Sequence, residues 1–289
     1  MSIRLEDALP EKRAALRAFD RARDFDAACF VHDEARARLL ARLDLLRLEP
    51  RLVLDLGCAT GRGANALAAH YPAAQVLAVD SSLSMLRSAA AGAQRSVAVL
   101  GGDAEALPLR SHCVDLVLAS LVLPWCRPDR MFAEAARVLA HGGAFLFATV
   151  GPDSLQQVRT AFAAVDEGMI HVHAAFDLHD VGDFAMAAGL SEPVLDVDRF
   201  EATYTHVAAL VRDLEAVGAV NTALGRRRTL TGRRRWGRFV ERLPRGPDGR
   251  LSVTIELILG QAWGSGPRVP RPADSAGEIR VPLERIRKR

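Results

Sequence analysis

From Leu52 to Thr149 short apolar runs alternate with amphipathic stretches, at spacings that predict strand, helix, strand in succession. The runs are VLDL from Val53, QVLAVD ending at Asp80, VAVL from Val97, Val114 to Ala119 and Ala144 to Thr149. Helices are predicted from Arg62, from Leu83 and over Arg130 to Leu139. Strands that read as continuous apolar runs and return through helices build a parallel sheet covered on both faces. Two helices precede it, around Glu11 to Arg23 and Phe30 to Leu46. The second carries Val31, Ala35, Leu39, Leu43 and Leu46 on one stripe.

After Thr149 the rhythm loosens. Helices are predicted near Ser154 to Ala164, Asp180 to Ala188 and His206 to Val217. PVLDVD from Pro193 and LSVTIELILG from Leu251 would close a seven-stranded sheet. The predicted organisation is an N-terminal helical segment over 1–48, an α/β domain over 49–264 with insertions near 151–178 and 219–248, and a tail over 265–289.

The strand ends carry polar groups. VLDLGCATGRG, from Val53 to Gly63, is a strand that breaks into a glycine turn before a helix, where backbone can approach a ligand closely. Asp80 ends the second strand, where an acidic side chain accepts from ribose hydroxyls. Gly102, Asp103 and Ala104 follow the third, and a carboxylate there can accept from an adenine amino group. The glycines are not in G-x-G-x-x-G register, which disfavours a dinucleotide pyrophosphate.

DLGCATG, then VD, GDAEALPL and VDLVLAS together resemble the class I methyltransferases, with their Rossmann-like, doubly wound fold and S-adenosylmethionine as cofactor. The resemblance implies Asp55, Gly57 and Gly61 near the methionine moiety, Asp80 and Ser81 at the ribose, Asp103 and Ala104 at the adenine, and Ser120 and Leu121 along the floor. It also implies that the last strand runs antiparallel. Trp125 is a candidate wall.

Later segments narrow the resemblance. GPDSLQQVRTAF, HVHAAFDLHDVGDFAMAAGL, LVRDLEAVGAVN, GRRRTLTGRRRW and ELILGQAW are similar to the malonyl-acyl carrier protein O-methyltransferases of biotin synthesis, as are FDRARDFDAACFVHDEARARLLARLDLL and EIRVPLERIRKR. This implies methylation of the free carboxylate of a malonyl thioester. That carboxylate is ionised at pH 7, so the reaction needs alignment and desolvation rather than a general base. Arg159 is the candidate for gripping it, because a guanidinium holds a carboxylate bidentately. His173 is a candidate donor in the substrate pocket. Four positions depart from the family pattern: Phe25 stands where tyrosine is usual, His32 where glutamine is, Ala59 in place of a glycine, and Pro124 in place of a polar residue. Phe25 is assigned to the catalytic set and His32 to the cofactor.

The net charge is only +3, yet arginine concentrates between Gly225 and Phe239. Arg226, Arg227, Arg228, Arg233, Arg234 and Arg235 are the candidate contacts for an acidic acyl carrier protein. The cysteines at 29, 58, 113 and 126 form no C-x-x-C pair, no run is long enough to span a membrane, and the first residues suit neither a secretory signal nor a transit peptide. A cytoplasmic enzyme without a membrane partner is expected. No metal is expected, although His171, His173, Asp177, His179 and Asp180 crowd together, since such clusters often serve as caps and loop donors. ASLVLPW offers no Asn-Pro-Pro-Tyr type motif, so nucleic acid is not the expected substrate. The alternatives left open are a related assembly factor or protein-modifying enzyme of the same fold, and a nucleic-acid methyltransferase.

Overall fold

The computed structural model describes residues 5–267, so most of the expected tail, EIRVPLERIRKR included, lies outside the described residues. Seven strands form one sheet: β1 (Leu52–Leu56), β2 (Gln75–Asp80), β3 (Val97–Gly101), β4 (Val114–Ser120), β5 (Leu139–Val150), β6 (Leu190–Tyr204) and β7 (Leu251–Gly264). Their order is β3-β2-β1-β4-β5-β7-β6. The first five run parallel, and β7 is antiparallel to both neighbours. This is the Rossmann-like methyltransferase fold that the motifs imply, with the antiparallel last strand in place.

The helices are α1 (Leu5–Ala8), α2 (Lys12–Arg21), α3 (Phe25–Ala28), α4 (Phe30–Leu43), α5 (Arg62–His70), α6 (Leu83–Gly92), α7 (Pro128–Val138), α8 (Gln156–Ala163), α9 (Leu178–Ala187), α10 (Val207–Ala216) and α11 (Arg233–Arg242), with a 3-10 turn over Leu123–Trp125. None of the described helices is long and apolar enough to cross a membrane. Several elements differ from the sequence reading: β5 begins at Leu139 rather than Ala144, the short helices α1 and α3 were not predicted, and two later segments differ as follows. The strand at Pro193 extends to Tyr204, because its second half pairs residue by residue with β7. The arginine-rich stretch contains α11, whose Phe239 is buried.

Side chains along each parallel strand alternate between two cores. Val53 packs with Leu39, Leu67, Val76 and Leu116 on one face, whereas Leu54 and Leu56 join Leu77, Val117 and Phe145 on the other. Phe132 of α7 anchors the second core, its ring 5.7 Å from Phe145 and 5.2 Å from Phe147 in edge-on contacts. The strand order reverses between β1 and β4, and in such sheets the crevice at the carboxyl ends of the strands is where ligands bind.

Candidate active site

The turn after β1 is bound to the neighbouring strand, since the amides of Gly57 and Cys58 both donate to the Val79 carbonyl, at 2.8 and 3.0 Å. Gly57 has φ +71°, and a Cβ there would lie 2.4 Å from a methyl of Val122. No side chain fits. Ala59 holds φ +46°, a left-handed conformation that costs an L-residue energy, so the departure from glycine is accommodated with strain.

Three cavities meet at this end of the sheet. A strand-end cavity of about 280 Å³ is bordered by Gly57, Asp80, Ser81, Asp103, Ala104 and Ser120, and by Phe25 and Leu121. A second, of about 350 Å³, is mostly apolar and carries Arg159, His171 and His173. A small one of about 40 Å³ lies against Asp55, His32, Arg36, Thr60 and Ser120. Phe19, His32, Leu121 and Trp125 are common walls of the two large cavities. Gly61, with φ +85°, caps α5 behind the turn and lines none of these three.

Asp80 uses its carboxylate to hold the turn, accepting from the Ala59 amide at 3.0 Å and the Ser82 amide at 2.8 Å. Burial raises its pKa above the usual carboxylate range. Asp103 accepts from the Glu105 amide and pairs with Lys12 at 2.5 Å, which draws α2 across the cavity rim. Asp55 is buried. One of its oxygens faces the Ala64 amide in the first turn of α5, and Oδ2 has no partner among the described residues. Burial pushes its carboxyl up to about 7, and the charge of Asp80 adds to the rise. Ser120 Oγ and His32 Nδ1 are likewise buried and without a partner. Buried polar atoms are nearly always satisfied, so three orphans on residues lining one small cavity mark a place built for a polar ligand.

In the apolar cavity, Arg159 donates to the carbonyl of Pro152 at 2.7 Å and, more weakly, to that of Ser154. No carboxylate forms an ion pair with it among the described residues, and burial lowers its pKa. His173 Nε2 accepts from the Thr222 amide at 2.8 Å, so the ring proton sits on Nδ1. Burial lowers its pKa to about 4, which makes it a neutral donor. The crowded segment resolves into separate duties: His171 binds Asp166 at 2.9 Å, while Asp177 and Asp180 form the capping box of α9.

A methyltransferase domain model matches residues 54–147. Malonyl-acyl carrier protein O-methyltransferase of Laribacter hongkongensis is 42% identical, over 93% of this chain and 95% of its own. The enzyme of the same name from Gallionella capsiferriformans is 38% identical, over 94% and 96%. The chain belongs to the malonyl-acyl carrier protein O-methyltransferase family. Solved structures agree in fold: YcgJ of Bacillus subtilis has a TM-score of 0.56 at 18% identity over 79% of this chain and 98% of its own. A methyltransferase of Thermotoga maritima has a TM-score of 0.52 at 20% identity over 86% and 99%.

Two of the four positions singled out by the sequence touch. Phe25 and His32 meet edge-on with centroids 5.0 Å apart, and both line the strand-end and small cavities. Sequence reasoning missed Lys12, Arg36, Glu11 and Asp166. All four act through partners distant in sequence or on charged faces that look solvated.

The arginine cluster divides. Arg226 pairs with Glu11 at 2.8 Å. Arg227 binds Asp166 at 2.5 and 2.9 Å, and Arg235 approaches the same carboxylate at 3.3 Å. These three are half-buried in ion pairs that tie the insertion down. Arg228, Arg233 and Arg234 remain exposed. Asp166→Ala leaves the half-buried Arg227 and Arg235 without their shared carboxylate and is expected to lower the midpoint of chemical denaturation clearly, whereas Arg234→Ala, an exposed change, should leave it nearly unmoved.

Proposed function

We propose that this chain transfers a methyl group from S-adenosylmethionine to the free carboxylate of a malonyl thioester carried by acyl carrier protein, as its relatives' name describes. The observation that carries this reading is the junction of two cavities, one lined by the strand-end carboxylates and the other holding Arg159 with no ion pair to a carboxylate among the described residues. Relatives matched over nearly their whole length favour neither the assembly-factor nor the nucleic-acid alternative.

The residues present fit the cofactor. An α-ammonium would satisfy Asp55 Oδ2 and Ser120 Oγ, both buried without partners, and Arg36 beside the same cavity suits a carboxylate. Asp80 keeps spare lone pairs for ribose hydroxyls, and Asp103 with Ala104 borders the adenine end. Bound there, S-adenosylmethionine supplies an electrophilic methyl on a sulfonium.

The protein's part is to bring an ionised carboxylate to that methyl and keep water away. Arg159 is held by two carbonyls, which leaves guanidinium N–H groups for a bidentate grip. The cavity it enters is lined largely by apolar side chains, Val158, Phe162, Val253 and Ile255 among them, which favours stripping water from a carboxylate bound there. His173, neutral with its proton on Nδ1, donates and does not act as a base. Trp125, with Phe19 edge-on at 5.0 Å, walls the meeting point.

An acidic carrier protein suits Arg228, Arg233 and Arg234, and Leu230 between the two runs is 95% exposed, offering an apolar contact. A cytoplasmic location agrees with Cys29, Cys58, Cys113 and Cys126 being free thiols.

Incubated with methyl-labelled S-adenosylmethionine, the protein should convert malonyl-acyl carrier protein to a labelled ester faster than malonyl-coenzyme A; absence of labelled ester would refute the reading. Arg159→Gln should lower kcat/KM roughly 10- to 100-fold while S-adenosylhomocysteine affinity, measured by calorimetry, holds within about twofold. Reversing Arg233 and Arg234 to glutamate should lower kcat/KM for the carrier roughly tenfold and flatten its salt dependence, without changing cofactor affinity. Equal loss of both would mean misfolding.

A further inference from the structure

Among the described residues, His32 is the one side chain that borders all three cavities described above. It projects from the first turns of α4 and is braced edge-on by Phe25. Nδ1 is sealed from solvent without a partner among the described residues, on a ring that also fronts the apolar cavity. A neutral imidazole has one acceptor nitrogen and one donor nitrogen on opposite sides of a rigid ring. A buried ring with an unsatisfied nitrogen is costly unless a ligand completes it.

We propose that His32 bridges the two substrates: Nδ1 accepts a hydrogen bond from the α-ammonium of the bound cofactor, which fixes the ring proton on Nε2, and Nε2–H donates to the malonyl carboxylate beside Arg159. This rests on the functional reading above. A glutamine amide also presents an acceptor at one atom and donors at another, so either side chain serves both sides of the junction. Burial holds the pKa of His32 down to about 4, so the ring brings no second positive charge near a sulfonium. The same contact makes substrate alignment depend on the cofactor, because the donor end is set only when the acceptor end is occupied. His32 is thus a positioning residue for the nucleophile as well as a ligand of the cofactor.

Nitrogen-15 NMR of the wild-type protein saturated with S-adenosylhomocysteine tests the tautomer without turnover. The expected spectrum has His32 in a single neutral form with the proton on Nε2. A proton on Nδ1, or an imidazolium, overturns the bridge. In turnover with malonyl-acyl carrier protein, His32→Gln should keep kcat within about threefold, whereas His32→Leu should lower it roughly 10- to 100-fold and also weaken S-adenosylhomocysteine binding. Unchanged kcat in His32→Leu, with the wild type active, overturns the bridge and leaves the functional reading intact. A wild type that esterifies no malonyl thioester refutes that reading instead, and the tautomer in the S-adenosylhomocysteine complex still decides the cofactor half. The NMR arm also decides the matter if His32→Leu fails to fold.

Discussion

Polar groups buried without partners at the carboxyl ends of β1 and β4 are the constraint around which the rest of this molecule is arranged. Asp55 Oδ2 and Ser120 Oγ are sealed under the turn between β1 and α5, with His32 Nδ1 from α4 in the same condition. A fold that keeps such atoms gives up stability unless something returns the hydrogen bonds. The apolar strand interiors supply the stability, and the reversal of strand order between β1 and β4 supplies the space. On the proposed reading, the cofactor restores the missing partners.

The second half of the chain builds the other side of the site by ties between distant segments. Glu11 accepts from Arg226 and Arg228, and the Glu11 amide donates to the Thr222 carbonyl at 2.7 Å, which joins the start of α2 to the arginine insertion. Asp166 gathers His171, Arg227 and Arg235 and fixes that insertion over the apolar cavity. The wall facing the cofactor and the wall facing the substrate therefore share one frame. Trp125, with Phe19 on one side and His173 5.1 Å away on the other, stands where they meet.

The parallel part of the fold was legible because β1, β2, β4 and β5 are largely buried and read as apolar runs between glycine turns, and β3, though a partly exposed edge strand, keeps the same apolar run. The strand-end carboxylates were legible for the same reason, since a polar residue ending an apolar strand stands out. Of β6 only the first part was read, because its edge position leaves polar residues on one face. The helix α11 carried a usable signal in Trp236, Phe239, Val240 and Leu243, spaced as one helical face, which the density of arginine concealed. Which arginines turn inward was not legible. That depends on Glu11 and Asp166, carboxylates whose pairing with them is set by the folded chain alone. The small cavity and its orphaned atoms were equally out of reach, because unsatisfied hydrogen bonds exist only once the neighbours are in place.

On the proposed reading, Asp55 and its neighbours receive the amino-acid end of the cofactor. Burial holds the Asp55 carboxyl at about 7 in the free protein, so near neutral pH a large share of it is protonated, and an ammonium placed beside it favours ionisation. Calorimetric titration with S-adenosylhomocysteine at pH 7, repeated in buffers of different ionisation enthalpy, reads the protons exchanged on binding. Release of up to about half a proton per site is expected, and its loss in Asp55→Asn. Binding with no proton release, or with the same release in Asp55→Asn, would contradict that reading.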